Sequence, residues 1–153
     1  MRSTKRPPQP CGPRRDRRGR GLRGRLAPAA VPVSRTRSEA FDDLVLDAVD
    51  ELAEHWSAEL AGVEFAVEEV PPAAQAVAVD FEPDVVVDRG IALGRLHRLG
   101  AAGVTAPVVV VYRRPIEARA VDREDRGDLV FMVVAELVAE LLGRDVDELD
   151  PPR

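Results

Sequence analysis

The feature that most constrains this chain lies near its end, between Leu129 and Leu142, where apolar residues recur at helical spacing over a wide arc. Leu129, Met132, Val133, Leu137, Val138, Leu141 and Leu142 cover more of a helix than one stripe does. A helix apolar over that much of its circumference has to be covered on more than one side, so it belongs inside a domain. Both of its ends are marked. Asp122 is placed as an N-cap, and Asp125 sits in the first turn, where the positive end of the helix dipole favours a carboxylate. Gly143 follows the last apolar residue, where a left-handed residue closes a helix. Asp145 to Leu149 then fits a last short turn before Pro151 and Pro152.

What covers this helix is written upstream. Thr36-Arg37-Ser38-Glu39 has the spacing of a capping box, in which the threonine oxygen accepts from a backbone N–H three residues on and the glutamate reaches back. From there Phe41, Leu44, Val45, Ala48, Leu52, Trp56 and Leu60 form one apolar stripe at a period of 3.6, with acids on much of the remaining surface and Gly62 placed to stop the helix. Val63 to Glu68 mostly alternates apolar and polar, the pattern of a half-buried strand, and Pro71-Pro72 ends it. A short strand is expected around Val77–Phe81. Val85–Val87 and Ile91–Leu96 are two more, split by Asp88-Arg89-Gly90. Val108 to Tyr112 is a continuous run that reads as a buried central strand. Arg113-Arg114-Pro115 closes it, and a turn of helix is expected at Ile116–Ala120. These elements predict an α/β (α+β) domain over residues 35–150, two main helices packed on a small, twisted mixed sheet. Aromatic residues are only 4% of a chain that is 45% hydrophobic, so its core must be built from Val, Leu and Ala.

The first 34 residues read differently. Pro7, Pro8, Pro10, Pro13, Pro28 and Pro32 break any helix, and Arg14 to Arg25 is almost all Arg and Gly, with little to bury. This segment is expected to be disordered. Residues 1–37 hold 12 of the 22 lysines and arginines and one acid, Asp16; the other 26 acids lie in residues 38–153. The chain is therefore a basic tail of net charge +11 on an acidic domain of −16. Residues 14–25 suit weak, sequence-independent binding to nucleic-acid phosphates, sensitive to salt, but carry no aromatic residue to stack on bases. The acidic domain would repel nucleic acid and attract the tail. No apolar run is long enough to span a bilayer, and residues 1–30 lack the apolar region of a secretory signal. Cys11, the only cysteine, leaves no intramolecular disulfide. A cytoplasmic setting without a membrane partner is expected.

The order helix, strand, irregular strands, a strand ending in Tyr112-Arg113-Arg114-Pro115-Ile116, and a buried helix closed by Gly143 before an acidic tail resembles the small zincin-like metallopeptidase family of bacteria. The resemblance covers about residues 34–150, and the Arg14–Arg25 leader looks like that of actinobacterial members. It implies a minimal zincin domain. The family's active helix carries His-Glu-x-x-His, followed by a glycine and an acidic third ligand. Two histidines four apart share one helix face and hold one Zn²⁺, while the adjacent glutamate activates a water in the open position.

That pattern is missing here. If Gly143 is matched to the family glycine without a gap, the histidine positions become Glu136 and Glu140, the catalytic-glutamate position becomes Leu137, and the third-ligand position becomes Val146. A shift of one residue keeps Glu136 as the base but places Ala135 and Ala139 where histidines belong and Asp145 as the third ligand; it needs an extra residue before Gly143, so the gapless register is preferred. What the resemblance implies is a member with no zinc or other cofactor and no catalytic residue, a pseudoenzyme whose former cleft at Glu136–Glu140 holds a peptide or protein partner.

Other residues suit other chemistry. Glu136 and Glu140, i and i+4 on one face, suit a hard cation or an acid–base pair, and with Asp145 or Asp147 they would form an unconventional hydrolytic site. The simpler reading makes them the polar edge of a mostly buried helix. His55 and His97 are the only histidines and stand far apart in sequence. Arg113 and Arg114 suit either an anion at the strand end or ion pairs with the acidic body. Arg89-Gly90 with Gly94 lacks the spacing of a phosphate loop, and the serines lie in the tail or on the first helix, away from any triad.

Overall fold

The computed structural model describes residues 36–73, 82–101 and 103–149. The basic tail, Cys11 and the strand expected around Val77–Phe81 lie outside these residues. Among the described residues the elements run α1 (Arg37–Leu60), β1 (Glu64–Glu68), β2 (Val85–Asp88), β3 (Ile91–His97), β4 (Val108–Tyr112), α2 (Arg113–Glu117), α3 (Arg123–Leu142) and α4 (Val146–Leu149). The four strands form one mixed sheet in the order β1-β4-β3-β2. The run Val108–Tyr112 is an inner strand, as its uninterrupted apolar character requires: it pairs parallel with β1 and antiparallel with β3. No described helix is long and apolar enough to cross a membrane.

Strand β3 shows how local sequence sets the faces of this sheet. Val86 pairs with Gly94 and Val87 with Ala92, so Leu93 is an extra residue, a β-bulge. In a regular strand Ala92 and Leu96 would share a face. The bulge separates them: Ala92 is buried with Val110 and Tyr112 on one side, while Leu93 and Leu96 join the main core on the other. The β2–β3 hairpin closes through Arg89 (φ 51°) and Gly90 (φ 74°), two consecutive left-handed residues, the two-residue turn that matches the twist of paired strands.

The wide apolar helix takes the central position that its sequence demands. On the sheet side, a Cβ added to Gly94 would lie 2.8 Å from Val133 and 2.9 Å from both Leu137 and the Val110 carbonyl oxygen. Only a glycine lets strand and helix approach this closely. On the other side Gly127 faces Leu44 of α1, and Phe41, Val45, Ala48 and Leu52 bury their stripe in the same core as Val130, Val134 and Val138. Each such side chain fully buried contributes about 1.5–3 kcal/mol before entropy is counted. The caps are those expected: Asp122 accepts from the Asp125 N–H at 2.9 Å, and Gly143 is left-handed.

Two details depart from the sequence reading. The short helix begins at Arg113, directly from β4, so Pro115 falls in its first turn, where a missing N–H costs nothing. Helix α1 is interrupted near its end by Trp56, which has non-helical angles, and the Arg144 guanidinium stacks 4.7 Å from the centre of its ring.

Candidate functional site

Helix α3 has a third side, covered by neither the sheet nor α1. Met132, Glu136 and Glu140, spaced four apart, lie along it and border two adjoining grooves between α3 and strand β2. The first groove, about 390 Å³, runs beside Glu136, Ala139, Glu140 and Val146, facing Glu82 to Val86. The second, about 440 Å³, has an apolar floor of Leu93, Leu129 and Met132, facing Val86 to Arg89. Glu136 and Val86 border both. As β2 advances from Val85 to Asp88, the facing residues of α3 retreat from Glu140 to Leu129, so strand and helix run alongside the grooves in opposite directions. Among the described residues β2 pairs only with β3, so it is the outer strand of the sheet that they form.

The residues singled out by the sequence now have places. Glu136 is half-buried and has no hydrogen-bond or ionic partner among the described residues; loss of solvent pushes its carboxyl above the usual range. Glu140 is exposed and paired: Arg98 donates to its side chain at 3.1 Å and to its backbone carbonyl at 3.1 Å. The same guanidinium reaches Asp84 at 2.7 Å, so one arginine ties the start of β2 to α3. Leu137 is only 1% exposed and points at β3. Ala135 and Ala139 are buried. Val146 opens α4, half-buried against the core. Asp145 borders the first groove and accepts the Asp147 N–H at 3.2 Å. His55 lies exposed on α1 and His97 ends β3, and neither lines either groove. Among the described residues no group of three or more His, Cys, Asp and Glu side chains is placed to hold a metal ion.

Arg113 and Arg114 find carboxylates within the domain. Arg113 bridges Glu69 and Glu117, and Arg114 contacts Glu69 at 3.2 Å. The two guanidiniums hold the Glu69 carboxyl below its ordinary value. Nearby, Arg119 pairs with Asp88 and donates to the carbonyls of Pro115 and Asp88.

Sequence reasoning missed Arg98, Asp84 and the groove role of Met132. Met132 was expected in the core, yet it is 40% exposed over the second groove. Its four-residue spacing from Glu136 was the available signal. Arg98 gave none, because it lies 42 residues from the glutamate it holds.

Residues 60–152, more than half of the chain, match the family described as zincin-like metallopeptidase. This is the family that the sequence resembles. No curated protein matches the chain.

Proposed function

The chain belongs to the zincin-like metallopeptidase family, and from that premise we propose that it is a non-catalytic member, a pseudoenzyme that uses the grooves beside α3 to hold an extended peptide or protein segment. The observation that carries this reading is the donor set along α3. The groove-facing positions four apart are Glu136 and Glu140, with no histidine, and Glu140 already has the Arg98 guanidinium for its cation. Zinc sites of this class need two imidazoles and a third ligand around an open position, and these residues do not fit that need. Leu137, where the gapless register puts the catalytic base, is an apolar side chain packed into the core. In the shifted register the histidine positions are alanines, both buried. The reading in which Glu136, Glu140 and Asp145 or Asp147 form a carboxylate metal site is weakened by Arg98, since a bound cation would meet a guanidinium on the same carboxylate.

Binding is favoured by what lies opposite. Strand β2 offers an edge to which an extended backbone can add, and the two grooves offer room for its alternate side chains. The binding domain runs over residues 35–150, because α1, most of which precedes the matched residues, completes the core around α3. The test pairs two measurements on the full chain: cleavage of a quenched fluorescent peptide library with added Zn²⁺, and retention of the same peptides without cleavage. Retention without turnover is expected. Zinc-dependent turnover abolished by Glu136→Ala would overturn the proposal.

A further inference from the structure

The grooves differ in chemistry, and the difference specifies an occupant. The first groove is bordered by five carboxylates, Glu82, Asp84, Glu136, Glu140 and Asp145, and by one cation, Arg144. Three of these acids are neutralised from within the domain, each by a guanidinium: Arg95 on Glu82 at 2.8 Å, and Arg98 on both Asp84 and Glu140. Of the other two, Asp145 is exposed to water and accepts the Asp147 N–H, whereas Glu136 has neither. It is half-buried, at the junction of both grooves, and no described cation reaches it. A carboxylate that has lost water and gained no donor is costly to keep ionised, and a charge-assisted hydrogen bond from a ligand would offset that cost. Apolar Val86 and Val146 nearby can cover the methylene stem of a long cationic side chain. One helical turn towards the start of α3, Leu129 and Met132, with Leu93 of β3, give the second groove an apolar floor, rimmed by the charged Asp88, Arg89, Arg119 and Asp125.

We infer that the grooves select an extended peptide carrying an arginine, which pairs with Glu136, and an aliphatic residue two positions away, which lies on the Leu93–Leu129–Met132 floor. This rests on the peptide-binding reading above and adds the chemistry of the partner. The two-residue separation follows from geometry. A strand added along β2 runs beside α3; its side chains on one face repeat every ~6.6–6.8 Å, and Met132 and Glu136 are separated by ~6 Å of helix rise. Arginine is preferred to lysine because its planar fork matches a carboxylate and carries less hydration into the groove. An acidic groove of this kind repels nucleic-acid phosphate, so the partner is a polypeptide.

The test is a positional-scanning library of N-acetylated, C-amidated octapeptides bound to the full chain. Enrichment of arginine at one position, with Leu, Ile, Val or Met two positions away, is expected. For the best peptide, Glu136→Gln should weaken binding about tenfold and raised salt should weaken it further. The same peptide with its arginine replaced by glutamine should bind wild type and Glu136→Gln alike, which isolates the pair. Met132→Glu should remove the aliphatic preference and keep that for arginine. Peptides that bind without preference for arginine, or whose preference survives Glu136→Gln, would overturn this inference and leave the groove reading standing. A library from which nothing binds would overturn both.

Discussion

Two acid-rich regions of this domain differ in one carboxylate: the first pairs its acids, and the second leaves its half-buried Glu136 without a donor. At the corner where β4 turns into α2, Glu69 and Glu117 share Arg113, Arg114 adds to Glu69, and Arg119 holds Asp88. Charges there are paired, and Glu69 is held below its ordinary pKa by guanidinium donors. Along the groove side of α3, Glu136 is half-buried without a donor, and burial raises its pKa. The first arrangement ties β1, β4 and α2 together. Glu136, by contrast, is costly to keep ionised in the folded state and ties nothing. An apolar or amide residue at that point would make the helix more stable. Folds carry such local conflicts where something other than stability is at stake, and here the conflict lies at the junction of the two grooves.

Substitutions in the two regions and in the core between them should differ in size and sign. The largest effect is expected at Leu137. If that position is core, Leu137→Ala lowers stability by about 3 kcal/mol in chemical denaturation; a change of a few tenths would mean that the side chain faces a cleft. Gly94→Ala should cost about 2 kcal/mol, because the added methyl meets the Val110 carbonyl as well as two core side chains. At the paired corner, Arg113→Ala should cost about 1.5 kcal/mol, since its side chain is only 11% exposed and it leaves Glu117 unpaired. Glu136→Gln should do the reverse and stabilise the domain at neutral pH by about 0.5 kcal/mol, the small size reflecting solvent screening. The sign follows from the raised pKa: the folded state takes up the Glu136 proton more readily than the unfolded chain. Its contribution to stability is therefore greatest below the unfolded glutamate value of about 4.3 and is lost as pH rises through the folded value. The advantage of Gln over Glu should accordingly vanish in acid, which thermal melts across pH would read. Glu69 has the opposite sign, with its contribution present above the unfolded value and lost as pH falls through the lowered one.

Much of the fold was legible because the signals are local. The Asp122 cap, the Gly143 stop, the stripe on α1 and the run Val108–Tyr112 each carry their reason within a few residues, and the structure has them where they were read. The family was legible from their order. What could not be read is what depends on residues far apart. The bulge at Leu93 follows from how β3 meets both β2 and α3, and no alternation pattern announces it. Arg113-Arg114-Pro115 reads as an end in the sequence, whereas these residues form the first turn of a helix. Of the site, the groove face at Glu136 and Glu140 followed from helical spacing. Their contrasting electrostatics did not, because it depends on an arginine brought to one of them by a separate strand.

If α3 presents a binding groove in place of a zinc site, the full chain should not retain stoichiometric zinc. The most direct measurement is elemental analysis of the full chain, prepared without a histidine tag, loaded with excess Zn²⁺ and exhaustively dialysed. Far less than one zinc per chain is expected, unchanged in a Glu136→Ala, Glu140→Ala double variant. One zinc per chain, lost in that variant, would contradict it.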